Sequence, residues 1–132
     1  MNNQVRIALV EDDQDLRQST EEFLTHAGYN VWGAGSAEAF YRRFAADPVD
    51  VVVLDIGLPG MSGYEVARQM RSDPNLRDDL LLVAVTGWGT QDDQRRSAAA
   101  GFDQHLTKPV EATALESLLA SRRARAAPPA AG

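Results

Sequence analysis

The sequence predicts an α/β fold, a doubly wound five-stranded parallel sheet covered by five helices. Three observations carry that reading. Short apolar runs alternate five times with segments of helical period along the 132 residues, the pattern of a right-handed βα series. The runs Val5-Arg6-Ile7-Ala8-Leu9-Val10, Val51-Val52-Val53-Leu54 and Leu81-Leu82-Val83-Ala84-Val85 are too apolar for a sheet with one wet face, so they need helices on both sides. Strand ends carry Glu11-Asp12-Asp13, Asp55, Thr86 and Lys108, and ligand sites of open α/β sheets lie outside the carboxyl ends of the strands. Those polar residues are expected to converge.

The elements follow in order. The first strand leads into a helix over Gln14 to Ala27, with Leu16, Phe23, Leu24 and Ala27 expected on one inward face and Gly28 as its stop. Tyr29 to Ala34 reads as a weaker strand near an edge, and Ser36 caps a helix through Phe40 and Phe44 that ends before Asp47-Pro48. Strand three runs into Asp55, and Gly57-Leu58-Pro59-Gly60-Met61-Ser62-Gly63 is a loop. Tyr64 to Arg71 then gives a helix with Val66, Ala67 and Met70 inward. Strand four ends at Thr86, and Thr90 with Asp93 resembles a capping box for a helix that stops at Gly101. Gln104-His105-Leu106-Thr107 is strand five, ahead of Lys108-Pro109. The last helix, Glu111 to about Arg123, stripes Leu115, Leu118 and Leu119; residues 1–124 form one domain and 125–132 a flexible tail too poor in apolar surface to order itself.

Composition narrows the function classes. Hydrophobic residues at 44% and charged residues at 24% suit a soluble globular chain, and no run reaches the roughly 18 apolar residues of a membrane span. Without cysteine there is neither a disulfide framework nor a thiolate metal site, and the start Met-Asn-Asn-Gln-Val-Arg lacks an apolar signal segment, so a cytoplasmic location is expected. The net charge of -6 argues against direct binding to nucleic acid. The small clusters Arg95-Arg96 and Arg122-Arg123 with Arg125 read as solvated helix faces.

Magnesium prefers oxygen ligands and keeps several waters, so one or two carboxylates plus a phosphate make a typical site. Asp12 and Asp55 are the natural pair, with Glu11 or Asp13 able to add a third charge; Asp12 and Asp13 can equally cap the first helix. Asp55 follows four apolar residues, where an unpaired charge is costly to desolvate, and Lys108 can supply the balancing cation. Thr86 alone could be a turn residue.

The stretches Val10-Glu11-Asp12-Asp13, Leu54-Asp55-Ile56-Gly57-Leu58-Pro59-Gly60-Met61-Ser62-Gly63, Val85-Thr86-Gly87 and Leu106-Thr107-Lys108-Pro109 resemble, in order and spacing, a receiver domain of the response-regulator superfamily of two-component signalling. The resemblance spans about Gln4 to Ala124 and implies a flavodoxin-like sheet of order 2-1-3-4-5. It implies that Asp55 is the phosphoacceptor, that Glu11 and Asp12 join Asp55 and the backbone carbonyl of Gly57 in holding Mg²⁺ (Mn²⁺ as a substitute), and that Thr86 and Lys108 contact the phosphoryl group. It further implies a cis peptide at Lys108-Pro109. The chain would then be a phosphorylation-operated switch, not a turnover enzyme. Its phosphohistidine donor would be a sensor histidine kinase or a histidine phosphotransfer protein. Homodimerisation or effector binding would use the face of helix four, strand five and helix five.

The chain departs from the family pattern at His105, three residues before the lysine, where the family carries Tyr or Phe as a rotating switch. The histidine can face solvent, or fill the aromatic's place and add sensitivity to pH. Trp88 stands at the mouth of the expected site or packs in the core. Three other functions are weighed. A Mg²⁺-dependent aspartyl-phosphate phosphohydrolase would carry an acid two positions after its nucleophile, where Gly57 stands, and a cofactor-binding flavodoxin-like module would need a phosphate loop where Glu11-Asp12-Asp13 stands. A pseudo-receiver that only binds partners would not need every chemical position filled. Because no output domain follows the last helix, the sequence reads as a stand-alone regulator or a piece of a longer protein; the runs Thr86-Gly87-Trp88-Gly89 and Gly101-Phe102-Asp103-Gln104-His105-Leu106 resemble receivers fused to hybrid histidine kinases.

Overall fold

The computed structural model describes residues 5–58, 62–74, 76, 80–87, 91–107 and 112–126. Strands β1 (Arg6–Val10), β2 (Asn30–Ala34), β3 (Val51–Asp55), β4 (Leu81–Thr86) and β5 (Gln104–Thr107) alternate with helices α1 (Gln14–His26), α2 (Ala37–Phe44), α3 (Gly63–Ser72), α4 (Gln91–Ala100) and α5 (Ala112–Ala126). All strands pair in parallel, in the order β2-β1-β3-β4-β5. The expected fold is therefore the one observed. The helix α5 runs three residues past its expected end at Arg123, while residues 127–132, Trp88, Thr90, Lys108 and Pro109 lie outside the described residues.

Continuous apolar strands are explained by two cores, one on each face of the sheet. Ala8, Val10, Val52, Leu54, Leu82 and Ala84 point to one side, against Phe40 of α2 and Val66, Ala67 and Met70 of α3. Their sequence neighbours Ile7, Leu9, Val51, Val53, Leu81, Val83 and Val85 point to the other, against Leu24 of α1 and Leu115 and Leu119 of α5. Phe40 anchors the first core, its ring 5.8 Å from Trp32 and 5.4 Å from Phe44.

The local start and stop signals hold. Asp13 and Ser36 cap α1 and α2 by accepting the amides of Leu16 and Ala39, each at 3.1 Å. Gly28 and Gly101 follow α1 and α4 with positive φ, as helix stops of this kind require.

One expectation is corrected. Leu16 and Phe23 are 44% and 38% exposed, whereas Leu24 is fully buried. At 3.6 residues per turn Leu16 and Phe23 share a direction, but that direction lies roughly 80–100° around the helix from Leu24. α1 buries only a narrow stripe, and the pair falls beyond its edge.

α4 is held differently from the rest. Its sequence offers no large apolar side chain, and only Ser97 and Ala100 are buried. Arg96 compensates by placing its guanidinium 4.6 Å from the centre of the Tyr64 ring on α3. At the amino end of the sheet Arg71 ties α3 to its neighbours, donating to the carbonyls of Leu80 (2.7 Å) and Gly101 (2.8 Å) and to Asp103, whose carboxylate also accepts the Leu82 amide. That end is fastened; Glu11, Asp12 and Asp55 gather at the other.

Candidate phosphoacceptor and metal site

Register brings the acidic residues together. Val10 pairs with Leu54 across β1 and β3, so Glu11 and Asp55, each one residue further on, emerge side by side. Asp12 follows on the rim. Carboxylate oxygens of Glu11, Asp12 and Asp55 all lie within 4.8 Å of one another, with Glu11 and Asp55 buried and Asp12 exposed. Three converging carboxylate oxygens are the donor set that a hard divalent cation such as Mg²⁺ or Mn²⁺ takes, so the residues present could hold such an ion. Gathered without a cation, the same charges would repel.

The backbone divides the tasks between neighbours. Asp13 turns away from the cluster to cap α1 and, through its own amide, donates to Glu11 Oε2 at 3.1 Å. The capping role thus falls to Asp13, and Asp12 stays with the carboxylates. Glu11 is fixed further by its amide on the Ala34 carbonyl at 3.0 Å. The Asp55 carboxylate is oriented from its own loop, since the Gly57 amide donates to Oδ1 at 3.0 Å. Ile56 and Gly63 then close the loop, the Gly63 amide donating to the Ile56 carbonyl at 2.9 Å.

Thr86 is 5% exposed at the last position of β4, one residue beyond Val85, the register partner of Asp55. It pairs in turn with Thr107, the last residue of β5. Lys108, expected beside it, lies outside the described residues. His105 stands on β5 opposite Ala84, partly buried, with Nδ1 3.1 Å from Ser97 Oγ on α4. It does not face solvent freely.

The comparisons with known proteins agree with this fold. The model of the response regulator receiver domain matches residues 7–120. The chain belongs to that family. The receiver is 38% identical over 120 residues to the response regulator MprA of Mycolicibacterium vanbaalenii, covering 91% of this chain and 49% of that protein. It spans about half the length of the curated relatives it matches. It is also similar to the solved receiver domain protein of Methanospirillum hungatei (27% identity, TM-score 0.82, 93% of this chain and 96% of that one). The receiver domain from Methylobacillus flagellatus is comparable (26% identity, TM-score 0.78, covering 91% and 99%). Among the described residues of the receiver, no helix is long and apolar enough to cross a membrane.

Two residues around the site escaped the sequence reading. Arg17, on the first helix, donates from Nη1 to the Glu11 carbonyl at 2.7 Å, and Ser97 meets His105. Neither leaves a signal in local spacing, because each partner comes from a different element. The alternate glycines, Gly33 on β2 and Gly35 just past its end, were the one available hint, marking a place where something crosses closely.

Proposed function

We propose that this receiver accepts a phosphoryl group on Asp55 from a phosphohistidine of a sensor kinase or phosphotransfer protein and acts, in the cytoplasm, as the switch of a two-component phosphorelay. The observation that carries the reading is the convergence of Glu11, Asp12 and Asp55 at the carboxyl edge of the sheet, with oxygens within 4.8 Å. Transfer to a carboxylate asks for in-line positioning and charge neutralisation more than for covalent chemistry by the protein. In this reading Glu11, Asp12, Asp55 and the Gly57 carbonyl hold Mg²⁺ or Mn²⁺, whose contribution when bound is to neutralise charge on the phosphoryl oxygens.

The chain's own residues do the rest. Gly57, donating to Asp55 Oδ1, sets the plane of the nucleophile before the donor arrives. An Asp55 oxygen bonds to phosphorus as the donor's P–N bond breaks; the imidazole leaves with that electron pair and takes up a proton. Thr86 Oγ donates to one phosphoryl oxygen, and Lys108 is assigned the opposite one from its place in the sequence. The new charge and acceptors pull on Thr86 and bias α4, the helix with the least apolar anchorage. The face of α4, β5 and α5 then meets a second copy or an effector.

Incubation with Mg²⁺ and acetyl phosphate, or with a phosphorylated histidine donor, should add one phosphoryl mass in an acid-stable, base-labile form. An Asp55→Asn variant should add none. Equal phosphorylation of that variant sinks the assignment.

A further inference from the structure

Arg17 reaches back from α1 over the edge strand β2. Its Nη1 donates to the carbonyl of Glu11 at 2.7 Å, and the peptide that carries this carbonyl joins Glu11 to Asp12, two of the three clustered carboxylate residues. The path is cleared by glycine. A Cβ on Gly33 would stand 2.9 Å from both Cγ and Cδ of Arg17 and 2.5 Å from Glu21 Oε2, and one on Gly35 would stand 3.2 Å from Arg17 Nη1. Ala34, between them, faces the opposite core, and its carbonyl accepts the Glu11 amide. The Glu11 backbone is thus gripped at both its amide and its carbonyl, from β2 and from α1.

We infer that Arg17 is a positioning residue for the cation site: by fixing the Glu11–Asp12 peptide, it sets the mutual placement of the two carboxylates that a divalent ion must bridge. The inference rests on the reading of Glu11, Asp12 and Asp55 as a cation site. Geometry and charge make opposite demands here. A guanidinium beside the cluster repels a second cation, so if charge were its only influence, removing it would tighten Mg²⁺ binding. If it positions the ligands, removing it weakens binding.

The direction of the change is therefore the test. Mg²⁺ affinity of the full chain is measured by calorimetry for the parent, Arg17→Met, Gly33→Ala and Asp12→Asn, with melting temperatures recorded with and without Mg²⁺. Arg17→Met keeps an unbranched apolar stem over Gly33 and is expected to weaken Mg²⁺ by about tenfold, the loss usual when a group orienting metal ligands is removed. Gly33→Ala retains the charge but displaces the stem, and should weaken binding in the same direction. Unchanged or tighter binding by both variants overturns the inference, even if both melt lower, since a merely structural role would lower stability without moving affinity. A parent, or an Asp12→Asn variant, whose Mg²⁺ response contradicts the cluster's role overturns the site reading itself, and this inference with it. Should Arg17→Met fail to fold, Arg17→Lys and Gly33→Ala carry the same comparison.

Discussion

His105 Nδ1 lies 3.1 Å from Ser97 Oγ, while Nε2 of the same ring is buried with no hydrogen-bond partner among the described residues. This half-satisfied contact joins β5 to α4, the helix that buries only Ser97 and Ala100. Leaving a buried polar group without its partner costs about 1–3 kcal/mol, whereas replacing both partners by apolar groups of like shape can be nearly neutral. Ser97→Ala is therefore expected to destabilise the receiver by about that amount and to speed amide exchange along α4. Adding His105→Phe to Ser97→Ala should recover much of the loss in chemical denaturation. A double variant no better than Ser97→Ala alone would show that the seam is held by something other than this pair.

The separation of tasks between Asp12 and Asp13 makes a second expectation. Asp13→Ala removes the cap of α1 and should cost about 0.5–2 kcal/mol in unfolding experiments while leaving Mg²⁺ binding close to the parent's. Asp12→Ala should do the reverse, weakening Mg²⁺ by about tenfold or more, equivalent to about 1.4 kcal/mol, with little change in unfolding. Calorimetric Mg²⁺ titration beside urea unfolding separates the two. Loss of binding in Asp13→Ala with retention in Asp12→Ala would shift the ligand register by one residue.

The strands β1, β3 and β4 were legible because they are buried on both faces and so are written as nearly unbroken apolar runs; Glu11 and Asp55 were legible because each ends such a run. The α1 stripe was misread because Leu16 and Phe23 are apolar without being inward, and the sequence does not state how wide a stripe an edge-lying helix buries. Arg17 on Glu11 and Ser97 on His105 were invisible for another reason. Each contact is set by how helices lie across the sheet, a tertiary fact with no local spacing.

Stability measurements on α1 follow from the corrected stripe. Leu24→Ala opens a cavity in the core shared with Tyr29 and Leu119, and should cost about 2–5 kcal/mol. Leu16→Ala and Phe23→Ala remove partly exposed side chains that stand outside both cores, and should cost less than Leu24→Ala, about 1 kcal/mol or less. Thermal or urea unfolding of the three single variants gives the comparison. A loss at Leu16 or Phe23 comparable to that at Leu24 would mean that the exposed pair is covered, for instance by a second copy of the chain.

The last expectation concerns the turn that carries Asp55. Gly63 opens α3 against this turn, and a Cβ there would stand 2.6 Å from Ile56 Cα and 3.0 Å from the Asp55 carbonyl oxygen. Two effects compete in Gly63→Ala. Alanine is the better helix former by about 1 kcal/mol, but both obstructing atoms are backbone and cannot swing aside, and overpacking of that kind costs about 1–3 kcal/mol. The clash should win, lowering stability and, because the same turn holds the Gly57 amide on Asp55 Oδ1, weakening Mg²⁺ binding as well. Gly57→Ala supplies the contrast, its added Cβ meeting, among the described residues, only Asp55 Oδ1 at an ordinary 3.7 Å. Unfolding and Mg²⁺ titration of both variants decide the matter: a Gly63→Ala protein as stable as the parent, with unchanged affinity, would mean that α3 can withdraw from the turn without disturbing Asp55.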